Sequence, residues 1–505
     1  MPNSDGSHQN IMRIAERWIA VTCVVGLLLF AVACGGSGSN PLPPINGNFS
    51  NASLSGQYAF SISGNQLLPD GSGNSAYYVE SGVFTADGNG NITAGTDDFS
   101  QSGSIGSNNI TGAYSINKDG SGDMIFNVAS GQVAFRIAMS DTNHFYMIEN
   151  DGFGSGAGSG ELQTTTAFAA PPNGTFVFRV HESGLIASAA SLVGRMTLNT
   201  GTITSGNEDI LFNGSFSSVT LTGNANFPGN TTGRGTMTVT ESSGFSASYI
   251  YYVVDANTFR LMRSDGTLAL GRAEAQTATT YDNSVLSGSF VFNSTGDTAL
   301  NLAAAHTVGV FTANGSGAIS AGAFDSVLDG NVQSNVSITG GAYNVAASGR
   351  ATIQLGAPVI INQVAWLVSP NRAFYLVNNP ANAEDGVMDK QATVAFSNST
   401  LNGQYAFFMD GFDTAFKDRT GTFIPDGNGN LRQDQVAVSF FPPSAAFSTQ
   451  SSLSGTYSVA VNGRVTASVN SLSSNIVLYM VSNTTAYSVQ ADSGFDIGGA
   501  IKLQQ

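Results

Sequence analysis

A unit of about 115 residues occurs four times in this chain, and this repetition constrains the fold more than any other feature of the sequence. The stretch LSGQYAF at 54–60 returns as LNGQYAF at 401–407. Shorter copies, NGTFVF and LSGSFVF, lie at 173–178 and 286–292. The glycine that the four copies share recurs after 118, 114 and 115 residues.

Other landmarks follow each copy in the same order. They are a turn segment (82–92, 194–203, 309–319 and 421–431), a segment of the GAYSI type (112–116, 341–345 and 455–459, diverged at 223–227), an aromatic run (144–148, 258–262, 373–377 and 486–490) and a closing glutamine (Gln163, Gln276, Gln391 and Gln504). The chain is therefore a tandem array of one module.

Within a module the apolar residues alternate with polar ones, which is typical of half-buried strands. Tyr58 and Phe60 share one face of the first strand, and the DGNG segments at 87–90 and 426–429 are hairpin signals. The first unit holds about eight strand-like segments with short connections, so we expect neighbouring strands to be antiparallel.

Only 10% of the residues are charged, and few charges leave exposed strand edges unprotected against aggregation. A closed barrel removes those edges. The sequence therefore predicts an all-β fold: a tandem array of four antiparallel meander modules, each a small eight-stranded barrel, with a two-sheet β-sandwich as the alternative. In strand count and turn spacing the module resembles lipocalin- and avidin-type barrels. Tyr58 and Phe60 are expected inside, and the pattern leaves open whether they fill the interior with Phe84 and Tyr114 or leave a cavity.

The repeat divides the chain into segments. The predicted bounds are 1–33 for a signal peptide, 34–53 for a linker, and 54–163, 172–276, 285–391 and 400–505 for the four modules. Each short segment between modules contains one aromatic residue, Phe168, Tyr281 or Phe396, which we expect to pack against a neighbouring module.

The first 34 residues have the pattern of an export signal. Arg13 and Arg17 precede the apolar run at 18–33, and the small residues Ala31-Val32-Ala33 lead directly to Cys34. This stretch resembles the lipobox of bacterial lipoproteins. The resemblance implies cleavage before Cys34, lipidation of that cysteine and anchoring in a membrane. It also implies the outer membrane, because no Asp follows the cysteine. The alternative is an uncleaved membrane-spanning anchor.

Charge and cysteine content exclude other classes. The net charge is −16, so the chain lacks the basic surface that nucleic-acid binding requires. Of the two cysteines, Cys23 lies in the predicted signal and Cys34 in the lipobox, so no disulfide is expected.

Acidic residues are the first candidates for chemistry. Asp98, Asp209 and Asp325 each lie six residues after the landmark isoleucine of their unit, and Asp97 precedes the first of them. Such carboxylates can bind cations or sugar hydroxyls or perform acid–base catalysis. Because adjacent strand residues point to opposite faces, Asp97 and Asp98 are not expected to act together. A solvent-facing acid at the end of a strand is favoured over these functions.

Metal and nucleophile patterns are weak. The DGNGN loop places oxygens at calcium-loop positions 1, 3 and 5, but it lacks the glycine at 6 and the glutamate at 12, so a plain hairpin is favoured. His144, His181 and His306 lie at non-equivalent places in three modules. We expect no metal site, no cofactor and no enzymatic activity.

Aromatic and variable segments remain as candidates for binding. FFPPSAAF at 440–447 predicts either an exposed patch, made by Phe440, Phe441 and Phe447, or a loop folded over the barrel end. Trp366 is expected in the core. The first hairpin differs most between modules, as variable binding loops on a constant scaffold do; its four copies lie at 65–76, 181–191, 295–305 and 410–418.

Together these patterns predict a lipid-anchored envelope protein with a non-catalytic binding or structural role. The expected partners are the membrane, through the lipid on Cys34, and a polysaccharide or another envelope protein. One alternative is a carbohydrate-active enzyme that uses Asp97 or Asp98. Another is a carrier of a small apolar ligand inside a barrel.

Replacing the lipidated residue tests the anchor. In Cys34→Ser the acylated thiol is lost, so we expect the protein to leave the membrane fraction or to keep its uncleaved signal. Cell fractionation with mass measurement checks this. A variant that stays in the membrane fraction at the wild-type size would show that the lipobox prediction is wrong.

Overall fold

The computed structural model describes residues 47–505, except 69–73, 183–189, 228, 279, 299–303, 357, 359, 380–381, 413–414, 442–445 and 471–473. The side chains of 297–298, 433–435, 440, 446 and 451–453 are also outside the described part. The predicted signal peptide and Cys34 lie before residue 47 and are therefore outside it.

The first two modules are closed antiparallel barrels. Barrel 1 contains β1 (Ser55–Leu67), β2 (Ser75–Asp87), β3 (Asn91–Gln101), β4 (Ser104–Asn109), β5 (Thr111–Ile116), β6 (Ser121–Val128), β7 (Gly131–Asp141), β8 (His144–Glu149) and β9 (Gly154–Leu162). Barrel 2 contains β10 (Gly174–Glu182), β11 (Ala190–Asn199), β12 (Thr202–Phe212), β13 (Ser215–Asn226), β14 (Arg234–Glu241), β15 (Ser246–Asp255), β16 (Thr258–Arg263) and β17 (Ala269–Ala275).

The last two modules repeat this arrangement. Barrel 3 contains β18 (Ser287–Thr298), β19 (Ala304–Asn314), β20 (Ala318–Leu328), β21 (Asn331–Ile338), β22 (Gly340–Val345), β23 (Arg350–Gly356), β24 (Ile361–Ser369), β25 (Arg372–Asn379) and β26 (Asn382–Lys390). Barrel 4 contains β27 (Tyr405–Phe412), β28 (Phe416–Pro425), β29 (Asn430–Phe441), β30 (Ala446–Val459), β31 (Arg464–Val469), β32 (Ser474–Met480), β33 (Thr485–Gln490) and β34 (Asp496–Leu503).

The eight-stranded barrel is thus confirmed, and the sandwich alternative is wrong. In barrels 1 and 3 the fourth strand is split in two, so that β4 and β5 both pair with β3, and β21 and β22 both pair with β20. In every barrel the first strand pairs with the last, which closes the sheet. Single-turn 3-10 helices lie at Asn51–Ser53, Thr165–Ala169, Asn283–Val285 and Asn398–Thr400.

The glycine of the repeated phrase is required by the backbone. Gly56 has φ +120° and Gly403 has φ +117°, a region that other residues rarely adopt. A Cβ at either position would also meet the side chain of Leu162 or Leu503 within 3 Å. The glycine of the repeated phrase therefore allows the chain to enter the first strand at the end of the barrel.

Aromatic side chains fill the interior of barrel 1. Tyr58, Phe60 and Phe84 are fully buried, and Tyr114 is nearly so. The hydroxyl of Tyr114 donates to the carbonyl oxygen of Leu54 at 2.6 Å. Tyr343 and Tyr457 make the same bond in barrels 3 and 4. The tyrosine of the GAYSI segment therefore joins the turn before the first strand to the barrel wall by a hydrogen bond.

The aromatic residues between modules pack as expected. Phe168, Tyr281 and Phe396 are buried in the cores of barrels 2, 3 and 4, each in the barrel that follows it in the chain. Phe49 occupies the same place in barrel 1. Each connecting segment is therefore part of the next barrel.

The four barrels form a closed ring within one compact unit, Ile45–Gln505. Separate apolar clusters join barrel 1 to 2, barrel 2 to 3 and barrel 3 to 4. A fourth cluster joins barrel 4 back to barrel 1 through Ala437, Ile148 and Ala157. The sequence predicts a tandem array and does not indicate that the array closes into a ring.

The closing glutamine of each module fastens it to the next barrel. The amide of Gln163 donates to two carbonyl oxygens of barrel 2, at 3.1 and 2.5 Å. Gln276 and Gln391 do the same to barrels 3 and 4. Gln504 donates to the carbonyl oxygens of Asp119 and Met139 in barrel 1, both at 2.7 Å. One contact, repeated four times, thus closes the ring.

No helix of the described part is long and apolar enough to cross a membrane.

Replacing the last of these glutamines tests the ring closure. Gln504→Ala removes two hydrogen bonds between barrels 4 and 1, so we expect the free energy of unfolding to fall by about 1–3 kcal/mol. Denaturant unfolding measures this. The neighbouring Gln505→Ala is the control, because the side chain of Gln505 is exposed. Equal stability of the two variants would contradict the closure contact.

Candidate functional site

A cavity of about 470 Å³ lies where the four barrels meet. Its walls come mainly from the first and last strands of the barrels, including Ser61, Arg179, Asn293 and Phe408 from the first strands. These strands pair with each other inside their barrels and turn their outer faces to the cavity. The strand that begins with the repeated phrase therefore has its aromatics inside the barrel and its polar residues towards the centre.

The variable hairpins converge on this cavity. Residues at their bases line it in each barrel: Tyr77 in barrel 1, His181 in barrel 2, Thr295 in barrel 3, and Asp410 and neighbouring residues in barrel 4. The hairpin tips are among the residues outside the described part. The described bases of the segments that differ most between modules thus line one cavity, which the sequence could not show.

Ion pairs surround the cavity and link the barrels. Glu161, Glu274 and Asp389 occupy the same position, two residues before the closing glutamine. Arg272 lies 2.5 Å from Glu161 of barrel 1 and 2.6 Å from Glu274 of its own barrel. Arg372 of barrel 3 lies 2.8 Å from Glu274 and 2.9 Å from Asp389. Alternating charges therefore run across three barrels.

Barrel 4 completes this network with a residue of opposite charge. Lys502 takes the position of the three acids, and its ammonium lies 2.9 Å from Asp141 of barrel 1. The hydroxyl of Tyr487 donates to Asp389 at 2.5 Å, which links barrel 4 to barrel 3. The network thus passes through all four barrels.

Two histidines that are far apart in the sequence meet at the cavity. His181 lies 2.7 Å from Asp385, whose carboxylate also accepts from Arg179 at 2.8 Å. His306 is buried, and burial, together with the nearby His181, lowers its pKa to about 3. Its Nε2 has no partner among the described residues. His306 is therefore neutral at physiological pH.

Two carboxyl groups of barrel 4 face the same space. Burial raises the pKa of Asp410 to about 6, against a partial opposing effect of His181 and Arg179. Burial also raises the pKa of Asp418 well above its usual range, while Ser155 of barrel 1 donates to its carboxyl group. Groups held in an unfavourable charge state are typical of functional sites. Within the described residues, no three His, Cys, Asp or Glu side chains are placed to hold a metal ion.

Asp98, Asp209 and Asp325 lie at three barrel–barrel contacts. Each carboxylate accepts two hydrogen bonds from an arginine of the next barrel, which are Arg234, Arg350 and Arg464 respectively. Each also accepts from an aromatic donor of that barrel, which is Tyr252, Trp366 or Tyr479. All three aspartates are 1% exposed, so the expectation of a solvent-facing acid is wrong.

We call this set of an aspartate, an arginine and an aromatic donor a clasp. The contact between barrels 4 and 1 lacks it. Ala437 stands where the other barrels have the aspartate, Ser121 where they have the arginine, and Ala138 where they have the aromatic donor. The three partners have thus changed together. The aromatic side chains of Tyr146 and Phe408, whose ring centroids are 4.8 Å apart, contact each other at this interface instead.

Asp97 points the other way from Asp98, as the alternation of strand residues predicted. It lies inside barrel 1, where Asn108 donates to it at 3.3 Å. Burial raises its pKa to about 7, and Glu80 is its close neighbour. The two adjacent carboxylates therefore do not share a site.

Two of the four aromatic candidates, Phe447 and Trp366, fall at contacts between barrels. Phe441 is buried, and Phe447 packs partly buried against the cluster that joins barrels 4 and 1. Phe440 lies on β29, with its side chain outside the described part. Trp366 is buried, as predicted, and its core is the apolar cluster between barrels 2 and 3.

The sequence analysis missed the arginines of the clasps. A Gly-Arg pair precedes the same strand in three units, at 233–234, 349–350 and 463–464, and is absent from the first. That signal was present in the repeat alignment. Its match to the aspartate of the preceding unit became visible only when the barrels were placed side by side.

Removing one clasp tests its contribution. Burial raises the pKa of Asp325, but hydrogen bonds from Arg464, the Asn335 amide and Tyr479 outweigh it and hold the pKa below its usual value. Its stabilisation is therefore complete above the unfolded pKa of about 3.9 and is lost as the pH falls through the folded pKa. We expect Asp325→Asn to lower the free energy of unfolding at pH 7 by about 3 kcal/mol.

The control for this variant is the exposed pair of Asp123 and Arg136. Asp123→Asn should cost less than about 1 kcal/mol, because the carboxylate is well hydrated. If both variants lost equally little stability, the clasps would not hold the barrels together.

Replacing Asp410, whose carboxyl group faces the cavity, should have the opposite effect on the free energy of unfolding. Its folded pKa of about 6 exceeds the unfolded value, so the folded state binds more protons and loses stability as the pH rises from about 4 to 6. We expect Asp410→Asn to be more stable than the wild type by about 1–3 kcal/mol at pH 7, and equal to it at about pH 4. Denaturant unfolding at both pH values measures the difference. A variant less stable at pH 7 would contradict this.

No family model and no curated protein matches this chain. A search of solved structures finds transferrin-binding protein B from Haemophilus parasuis Hp5 (Trp-176-Ala mutant), at 10% identity and TM-score 0.17, covering 73% of this chain and 82% of the other. Intact Ap-TbpB, with N and C lobes, matches at 10% identity and TM-score 0.18, covering 74% and 86%. The protein from serogroup B Neisseria meningitidis matches at 10% identity and TM-score 0.15, covering 71% and 84%. Likeness at this level carries no argument about function.

Proposed function

We propose that this chain is a non-catalytic binding protein of the bacterial cell envelope, anchored by a lipid on Cys34, with its binding site at the central cavity. The observation that carries this proposal is that residues at the bases of all four variable hairpins line one cavity. The barrel strands and the glutamine contacts, by contrast, repeat from module to module. A scaffold that is constant except where its loops meet is how binding sites are commonly built.

The chemistry of the cavity favours a carbohydrate, such as a segment of an envelope polysaccharide. Its volume of about 470 Å³ lies in the range of small-molecule sites. Serine hydroxyls, arginines and the carboxyl groups of Asp410 and Asp418 supply donors and acceptors for sugar hydroxyls. Tyr77, Phe412 and Phe416 add aromatic faces at one side.

Two rival functions have less support. The enzyme alternative used Asp97 or Asp98, yet the first lies inside barrel 1 and the second is held by Arg234 and Tyr252. The apolar carrier alternative required an apolar cavity inside a barrel, but aromatic side chains fill barrel 1, and the cavity inside barrel 3 is lined by polar side chains that include Glu384. Barrel 4 contains an apolar void of only about 60 Å³.

A glycan array with the full-length protein in detergent tests the proposal. We expect Asp410→Asn and Phe412→Ala to weaken binding of any glycan found by about tenfold or more, because each removes a contact at the cavity. Asp123→Asn, on the outside of barrel 1, is the control and should bind as the wild type does. Because Asp410→Asn is expected to be more stable at pH 7, its loss of binding would not reflect unfolding.

Two outcomes would contradict the proposal. The first is equal binding by the wild type and both cavity variants, which would place the site elsewhere. The second is release of reducing sugar from the bound glycan by the wild type but not by Asp410→Asn, which would make the protein an enzyme.

A further inference from the structure

Barrel 3 differs from the other barrels in its interior. A cavity of about 380 Å³ occupies one end of it, lined by Phe292, Phe324 and Val377 and by polar side chains. This volume is that of a small-molecule site. It lies inside the barrel wall and the central cavity lies outside that wall, although Ser294 of the first strand contributes to the lining of both.

Three core positions of this barrel have changed from apolar to polar. Ser294, Gln363 and Glu384 point inward and are 3%, 2% and 5% exposed. Register-equivalent residues in the other barrels are small or mostly apolar. They are Ile62, Val180 and Met409 for Ser294; Phe135, Tyr249 and Ile476 for Gln363; and Gly156, Ala269 and Ile497 for Glu384. Such changes cost stability in a core, so a bound ligand would give them a purpose.

Glu384 is the one charged side chain among the described residues that line this cavity. Its partners are neutral: Ser294 Oγ donates at 2.8 Å, Asn382 Nδ2 at 3.1 Å and Thr307 Oγ1 at 3.4 Å. The buried Oε1 of Gln363 has no hydrogen-bond partner in the described structure. The cavity therefore presents a carboxyl group without a counter-charge and an unused acceptor.

Barrel 2 shows what can occupy such a space. There Arg263 enters the barrel, and its guanidinium lies 2.8 Å from the buried carboxylate of Glu182 and over the ring of Tyr249. The residue of barrel 3 in the register position of Arg263 is Val377. One barrel thus supplies its own internal cation, and the other has a carboxyl group and a cavity.

We infer that the cavity of barrel 3 binds a small organic cation, an amine or guanidine, whose charged group pairs with Glu384 and donates to Gln363. The aromatic rings of Phe292 and Phe324 would pack against the rest of the ligand, where a cation is also favourable. This inference does not depend on the central cavity and goes beyond the function proposed for it.

Titration calorimetry on the full-length protein tests the inference with four probes: benzylamine, agmatine, butylamine and the neutral benzyl alcohol. We expect at least one cation to bind, and benzylamine to bind about tenfold more tightly than benzyl alcohol if it is that cation. Absence of binding by all three cations at about 10 mM would overturn the inference. So would binding of benzyl alcohol as tight as that of the cations.

Variants locate the site. Glu384→Gln keeps the shape and removes the charge, so it should weaken cation binding by about tenfold or more. Val377→Arg places the cation of barrel 2 into barrel 3 and should abolish binding. Glu149→Gln, a buried carboxyl group inside barrel 1, is the matched control and should bind as the wild type does. Circular dichroism and thermal melting confirm that each variant is folded. Unchanged binding by folded Glu384→Gln would overturn the inference.

Discussion

The apolar outer face of each barrel is the constraint on which the rest of the structure depends. Closing a sheet into a barrel removes its edges, but valines such as Val193, Val308 and Val477 remain on the outside. Exposed apolar faces of this extent cause association, so they must be covered. Because every barrel carries such faces, covering them all with the same type of contact requires that the last barrel return to the first.

The clasps show how a polar group is used within these apolar contacts. An aspartate that is 1% exposed would be costly alone, and the cost is offset only when charged and neutral donors saturate it. The arginine and the aromatic donor of the next barrel do this at three contacts. At the fourth contact, Ala437, Ser121 and Ala138 replace the aspartate, the arginine and the aromatic donor. A half-retained clasp would leave a buried charge unpaired, which explains why the three changes occur as a set.

The ring of four barrels also creates a central cavity, which no single barrel has. Its centre gathers arginines, histidines and carboxyl groups from barrels 2, 3 and 4, and the surrounding network alternates in sign through Glu161, Arg272, Glu274 and Arg372. Asp410 lies within this setting at a cost in stability, as residues of binding sites often do. The fourfold scaffold is therefore regular in its contacts and asymmetric in the lining of its centre.

The sequence by itself determined the modules: their number, their strands and their barrel closure. These follow from local rules, since period-two alternation, turn glycines such as Gly56 and the scarcity of charge act within about 115 residues. It also singled out Asp98, Asp209 and Asp325 by their recurrence, but as candidates for binding or as solvent-facing acids and not as contacts between barrels. Only the tertiary structure decided the ring, the clasps and both cavities. The reason is physical: each depends on side chains from different modules, or on the space between walls, and no periodicity along the chain encodes which outer faces meet.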